Sequence, residues 1–529
     1  GISKLSVKLG QITALIGENA WGKSSLLRAL WSLLGHDALP YQFVADDFYR
    51  APCDGANGQE LIIRLTFREH RPGVSQHSHR LNRLSSIWTR HHLDMFHRIH
   101  YVAKASLNTD DIISEHYFED AHGSRVPDEN SAELIRLLSS MNPVLRLRDS
   151  RSISALVEPA VEPDDFVGDI TDLLPDCTPD RQQRITDGVH AAEYLLDRYF
   201  MNVPHQTKRS QRDIINQPGS LHGLTDWHDL LRNMDNDTMQ QMLARIGHAL
   251  LSSHSGRKLE HEARPIYILE DPESRLHPTM MSIAWGLIQQ LPGQKILTTN
   301  SGDLLTTLPL SQIRRLVRTN GTAKSYQMDE NRFTADDLRK ITFHVRINRP
   351  MSLFARCWLL VEGETELWLL SELAQLCGYH LPGEGVRIIE YAQCGYSPLI
   401  KLANDLGISW HMLADGDEAG VRYVQGARRL MAEERQHGSA SNLTLLPSRD
   451  IEHFLFTHGF EDVYRREAGN RDLHNLPANK VIERAVSRRS KPGMALAVIE
   501  EAMKQGVDSV PSLLQNMFNR VVALAREQA

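Results

Sequence analysis

At 529 residues the chain is too long for a single small module, and at roughly 100–200 residues per domain it accommodates about three. Hydrophobic residues make up 41% and charged residues 24%, the balance of a soluble globular protein, which excludes a disordered or fibrous chain. With 66 acidic against 59 basic side chains the net charge is −7, so nucleic-acid contacts have to come from local patches.

The five cysteines, Cys53, Cys177, Cys357, Cys377 and Cys394, form no CxxC pair, which argues against a disulfide framework and a structural zinc site. No apolar run approaches the length that crosses a bilayer, and no signal-like segment opens the chain. A cytoplasmic protein without a membrane partner is expected. Because the sequence starts at Gly1 and enters a strand-like segment almost at once, further residues upstream are expected as well.

In chain order, residues 11–17 read as a buried strand ending at Gly17. Ser24–Leu34 reads as a helix with Leu26, Leu27, Leu30 and Leu33 or Leu34 on one face. From His70 to His122 the chain is polar and holds nine of the 25 histidines. The spacing of pairs such as His91/His92 does not suit a metal, so a solvated, partly mobile insertion is expected. Residues 130–260 read as mostly helical. Strand signals at Pro265–Leu269 and Lys295–Thr299 flank a helix-like Met280–Gln290, an alternation that suits a parallel sheet. Ser311–Arg356 carries ten basic against four acidic residues; the strand Cys357–Val361 then opens a second α/β region, so a boundary is placed near Pro350.

The first chemical signature is Gly17-Glu18-Asn19-Ala20-Trp21-Gly22-Lys23-Ser24, the G-x-x-x-x-G-K-[ST] pattern between a strand and a helix. Gly17, Asn19, Gly22 and Ser25 shape a backbone cradle for phosphates, Lys23 reaches the terminal phosphates, and Ser24 can hold Mg²⁺. ATP binding follows. An ATPase also needs a carboxylate for Mg²⁺ and a second to orient water; Glu270 and Asp271 end the strand Ile266–Leu269 in the places for these two roles. The following Pro272-Glu273-Ser274-Arg275-Leu276-His277-Pro278 resembles the segment after the Walker B strand of ABC and SMC-type ATPases. Those ATPases carry Asp then Glu here and a γ-phosphate histidine in Thr-His-Ser; this chain has Glu270 then Asp271, and Thr299-Asn300-Ser301. Asn300 can hydrogen-bond a phosphate but carries no charge, so binding without rapid turnover is expected. Of a Leu-Ser-Gly-Gly signature only the poor candidate Ser220-Leu221-His222-Gly223 is present.

The second signature is a set of carboxylates at three strand ends. Leu359–Val361 leads to Glu362, Gly363 and Glu366; His411–Ala414 leads to Asp415 and Asp417; Leu443–Leu446 leads to Asp450 and Glu452. Residues two apart in extended chain project to one side. Six converging carboxylates repel one another unless cations neutralise them, and oxygen ligands in this number suit Mg²⁺ or Mn²⁺. Two such ions form the clamp for phosphodiester hydrolysis.

The order Glu-Gly, then Asp-x-Asp-x-x-x-Gly, resembles the Toprim domain of primases, topoisomerases and the OLD (overcoming lysogenization defect) nucleases. An N-terminal ABC-type ATPase joined to such a domain is the OLD arrangement. Gly17–Ser25, Glu270–Pro278, Phe354–Glu366 and Asp415–Gly420 are similar to the YbjD-type ATP-dependent endonucleases of that family. The resemblance implies an α/β protein: an ABC/SMC-type P-loop ATPase head over 1–350 with a helical insertion at about 90–240, a Toprim domain over 351–465, and a C-terminal helical segment over 466–529. It implies an ATP-regulated, metal-dependent DNA endonuclease or nickase, with two metal ions per nuclease site and one with ATP. Glu362, Glu366, Asp415, Asp417, Asp450 and Glu452 would be the ligands. By the same resemblance Lys491 would lie near the cleaved phosphate, with Arg488 and Arg489 completing a phosphate patch. DNA, a second copy of the chain and a helicase are the implied partners. A primase is disfavoured by the lack of a Cys/His zinc module, and a topoisomerase by the lack of a DNA gate, with Tyr391 and Tyr396 left as candidate nucleophiles. The alternative function is a DNA-binding ATP switch whose Toprim domain docks without cutting.

Overall fold

The fold is taken from a computed structural model that describes residues 2–35, 40–49, 59–74, 78–90, 95–107, 111–127, 130–147, 179, 263–274, 278–291, 293–319, 322–433, 442–469 and 476–528. The chain forms two compact units, Gly1–Leu15 with Asn19–Asn300, and Ile16–Glu18 with Ser301–Ala529.

The first unit is organised by two sheets. β1 (Ile12–Ile16) pairs parallel with β8 (Gln294–Thr298), β8 with β7 (Ile266–Glu270), and β7 with β6 (Val144–Leu147). Near-continuous apolar strands suit this arrangement, since crossover helices cover the faces of a parallel sheet. α1 (Lys23–Leu34) presents Leu27, Leu30 and Leu34 to a core that also holds Leu15, Ile268 and Ile296. α2 (Ser131–Met141) adds Ile135, Leu138 and Met141 to that core. α3 (Pro278–Gln290) connects β7 to β8.

The second sheet of this unit corrects two expectations. β2 (Gln59–Arg68) pairs antiparallel with β4 (His97–Leu107), which also pairs with β3 (Thr89–Arg90) and β5 (Ile112–Glu119). The stretch read as a solvated histidine-rich insertion therefore supplies three strands of a sheet, and residues 97–107 and 112–119 of the expected helical insertion are strands. The physical cause is period-two burial: Ile99, Tyr101, Ala103 and Ala105 face the core, with the polar His100 and Lys104 among the residues between them. His116 is a structural member, with Nδ1 against the Tyr101 hydroxyl at 2.7 Å and Nε2 against the Tyr41 carbonyl at 2.7 Å. Beyond Leu147, the rest of the expected insertion, including Ser220–Gly223, lies outside the described residues.

The second unit is built on a four-stranded parallel sheet in the order β12 (Val386–Glu390), β11 (Cys357–Val361), β13 (Ser409–Ala414), β14 (Leu443–Leu445). All five residues of β11 are buried, as a central parallel strand demands. The crossovers are α5 (Glu364–Leu376), α6 (Tyr396–Asp405) and α7 (Glu418–Glu433). After β14 come α8 (Ile451–Leu455), α9 (Glu461–Ala468), α10 (Ala478–Arg489), α11 (Lys491–Gln505) and α12 (Ser512–Arg526). Val481, Val498, Phe518 and Val521 from these helices share one core with Leu359 and Val361 of β11, so α10, α11 and α12 pack as part of this unit.

Residues 301–350, which include α4 (Ala335–Ile341), also pack with the second unit. The hairpin β9 (Ile313–Thr319) and β10 (Thr322–Tyr326) carries Arg315, whose guanidinium is 1% exposed. It donates to the Leu406 carbonyl at 3.1 Å and to the Gly407 and Ala355 carbonyls at 2.8 Å each. One cation thus satisfies the C-terminal end of α6 and the entry to β11.

Candidate active site

The phosphate loop has the backbone that its sequence requires. Gly17, Ala20 and Gly22 all have positive φ, at 145°, 68° and 100°, and α1 starts directly at Lys23. A side chain at Gly22 would also collide with Ile2, 2.6 Å from the place of its Cβ. α1 has no side-chain N-cap and no acid in its first turn, so its positive end is not neutralised there. Lys23 is buried at 7% exposure, whereas Asn19, Ser24 and Ser25 are exposed. Glu18, which clusters with the second unit, accepts a two-pronged ion pair from Arg356, one arm being Nη2 to Oε2 at 2.6 Å.

The parallel pairing of β7 with β8 brings the ends of these strands, with Glu270 and Asn300, to one edge of the sheet. Asp271 has φ 42° and is held to β8 by Thr298, whose hydroxyl donates to Oδ1 at 3.0 Å and accepts from the Asp271 amide at 3.1 Å. The Asn300 amide donates to Glu273 Oε1 at 2.7 Å. One partner was not anticipated: Arg146 of β6 forms a close ion pair with Glu270, both side chains nearly buried. An arginine inside the apolar run Val-Leu-Arg-Leu was the available signal, since a charge in a parallel strand requires a counter-charge.

In the second unit the three strand ends carry the acidic residues. Glu362 follows β11, and Glu366 lies in the first turn of α5 at 8% exposure. Asp415 follows β13, and Asp417 Oδ1 accepts the Gly420 amide at 2.7 Å as α7 begins. The two glycines of this segment are needed by close approach: a Cβ at Gly420 would meet the Asp415 carbonyl at 1.9 Å, and one at Gly416 would meet the Leu446 and Ser448 carbonyls at 2.4 Å. Asp450 caps α8 by accepting the His453 amide at 2.8 Å. Glu452 is 5% exposed, and Lys491 Nζ lies 3.0 Å from its Oε1.

The electrostatics show how near these groups are. Burial pushes the Asp415 carboxyl up to about 8, and Glu362, Glu366, Asp450 and Glu452 add to the rise. Glu362 is raised by burial and by Asp417, with Lys491 opposing. Glu366 is raised chiefly by burial. Burial disfavours the charge on Lys491, yet its bond to Glu452 and the surrounding carboxylates raise it. Glu362 Oε2 is buried without a hydrogen-bond partner. Among the described residues no three His, Cys, Asp or Glu side chains stand grouped tightly enough to hold a metal ion. An orphaned carboxylate oxygen inside a set of mutually repelling oxygen donors nevertheless fits a hard divalent cation.

Lys491 is set by a strained turn. Ser490 has φ 69° and ψ 163°, a backbone region that costs about 1–3 kcal/mol for a residue with a side chain. The neighbouring arginines act differently from the phosphate patch read in the sequence. Arg489 pairs with Glu467 at 2.6 Å, and Arg488 donates to the Ala468 and Gly469 carbonyls at 3.3 and 3.4 Å. They close the end of α9. Tyr391 is 2% exposed and donates to the Leu413 carbonyl at 3.3 Å, so its hydroxyl is a structural donor.

Residues 1–352 match the family described as "Protein of unknown function (DUF2813)", and residues 353–417 match "Overcoming lysogenization defect protein-like, TOPRIM domain". The "Uncharacterized protein YbjD" of Escherichia coli (strain K12) is 41% identical over 550 residues, covering 100% of this chain and 98% of its own. Similar solved structures include the C-terminal region of the Xanthomonas campestris pv. campestris OLD protein, at 19% identity, 33% of this chain, 95% of that chain and a TM-score of 0.28. The corresponding region of the Burkholderia pseudomallei OLD protein has 20% identity over 32% of this chain and 99% of that chain, with a TM-score of 0.28. The SMC head domain from Thermotoga maritima has 13% identity over 61% of this chain and 92% of that chain, with a TM-score of 0.27. From residues 1–352 and from its match to YbjD along the whole length, the chain belongs to the DUF2813 family and carries an OLD-like Toprim domain behind its P-loop region.

Proposed function

We propose that this protein is an ATP-regulated, divalent-metal-dependent DNA endonuclease or nickase. What supports the reading is that carboxylates from three strand ends act on one another: burial with Glu362, Glu366, Asp450 and Glu452 pushes Asp415 up to about 8, Asp417 raises Glu362, and Glu362 Oε2 is left unpartnered. Bound Mg²⁺ or Mn²⁺ would supply Lewis acidity at the scissile phosphate and a water acidic enough to act as nucleophile. The six carboxylates would hold two such ions. Lys491, released from Glu452, would offset negative charge developing on the phosphate oxygens. Ser490 keeps this ammonium at the helix start.

In the P-loop region, Lys23 and the loop amides would hold the nucleotide phosphates, while Ser24 and Glu270 would face its Mg²⁺. Glu270 must exchange Arg146 for that ion, and Asp271 already shares an oxygen with Thr298. Both features support nucleotide binding with slow turnover. DNA as substrate and a homodimer belong to the same proposal; a helicase partner rests on the family resemblance alone.

Supercoiled plasmid incubated with the protein tests the reading. Nicked or linear product should form with Mn²⁺ or Mg²⁺, vanish with a chelator, and vanish in Glu362→Ala. Equal cleavage by wild type and Glu362→Ala would remove the assignment.

A further inference from the structure

We infer that His453 is a positioning residue for the nuclease centre, an assignment that rests on the metal reading above and deepens it. His453 lies one residue after Glu452 and three after Asp450, inside α8. Its backbone amide reaches Asp450 Oδ1 at 2.8 Å, and its ring Nδ1 reaches the same oxygen at 2.5 Å. Both contacts fall on Oδ1. A carboxylate whose one oxygen is held twice is fixed in rotation, and Oδ2 is the oxygen left to accept a cation.

The ring is fixed from its other side. Nε2 lies 3.0 Å from Asn479 Oδ1, near the start of α10; a neutral ring that donates from Nδ1 accepts at Nε2, so the Asn479 amide must turn its nitrogen toward the ring. An imidazole pinned at both nitrogens cannot turn, and a carboxylate facing Nδ1 requires that nitrogen to carry the proton it donates. Asp450, His453 and Asn479 thus form a line from the acidic centre to α10, the helix whose end leads through Ser490 to Lys491. Outer partners of this kind orient ligands, and their loss typically costs 10–100-fold in metal affinity.

The test uses the full chain without nucleotide or DNA, titrated with Mn²⁺ while free aquo-ion is followed by electron paramagnetic resonance. His453→Leu should weaken Mn²⁺ binding by about tenfold or more while the metal-free melting midpoint stays unchanged. His453→Asn, whose amide nitrogen stands near the place of Nδ1, should recover part of the loss. Asn479→Leu, at an exposed position, should weaken binding to a smaller extent and carries the test if His453→Leu misfolds. Wild-type affinity in both leucine variants would overturn the assignment while leaving the metal centre intact. Absence of Mn²⁺ binding by the wild type would overturn the metal reading and this assignment with it.

Discussion

Ala20, Asp271 and Ser490 are the non-glycine residues with left-handed backbone among those described, and each stands in a segment assigned to chemistry. Strain of this kind persists where surrounding contacts over-determine it. At Asp271 the contact is Thr298, which occupies Oδ1 and leaves one oxygen to orient water. Asn300 supplies no charge beside it. Phosphate release by the wild type should therefore run well below about 10 s⁻¹. Asn300→His should raise it, and a wild-type rate at that level would contradict the account. Lys23→Ala should lose ATP affinity in a titration with Mg²⁺, because loop amides alone do not neutralise the terminal phosphates.

His411 supplies a separate prediction. It is 1% exposed on β13, with Nε2 at 2.8 Å from the Thr444 hydroxyl, and burial pushes its pKa down to about 3. A histidine kept neutral by the fold contributes stability at high pH, and that stability is lost as pH falls below the unfolded value of about 6.5. Between pH 7 and pH 4 the wild type should lose about 3 kcal/mol more than His411→Gln, read from urea midpoints. Identical slopes for the two proteins would show that His411 is not the group responsible.

At the scale of elements, the strand-turn-helix segments were legible because their signals are local. β1 with the phosphate loop and α1, and β11 with Glu362 and α5, each combine an apolar run, a glycine turn and a helical stripe within about 25 residues. The sheet β2 to β5 was not legible. Histidines, lysines and arginines on its outer face mask the alternation of Ile99, Tyr101, Ala103 and Ala105. Arg146 and Arg315 escaped for another reason, since their partners Glu270 and Gly407 lie 124 and 92 positions away. The pairing of Arg489 has the same origin: Glu467, which holds it, is 22 residues distant. Arg315→Met should cost about 3–5 kcal/mol in chemical denaturation, because three buried carbonyls lose their donor. Arg315→Lys should recover little, since one ammonium does not reproduce the planar fork. A loss below about 1 kcal/mol would contradict this reading.

At the scale of the whole molecule, the chain joins a P-loop region to an OLD-like Toprim domain, and the segment 301–350 packs with the latter. Among the described residues no helix is long and apolar enough to cross a membrane. Assembly is open to a direct check: sedimentation should give a dimer at micromolar concentration, and a monomer with and without ATP would count against the proposed pairing. The central claim is that the acidic centre cuts DNA. Its most direct measurement is plasmid cleavage by wild type and Asp415→Asn, side by side, across a Mn²⁺ titration, with metal-free melting midpoints as the control for folding. Metal-dependent nicking is expected of the wild type and none of a folded Asp415→Asn, whose amide cannot replace the carboxylate. Cleavage by Asp415→Asn at the wild-type rate, or a wild type that leaves DNA intact at every Mn²⁺ concentration, would contradict it.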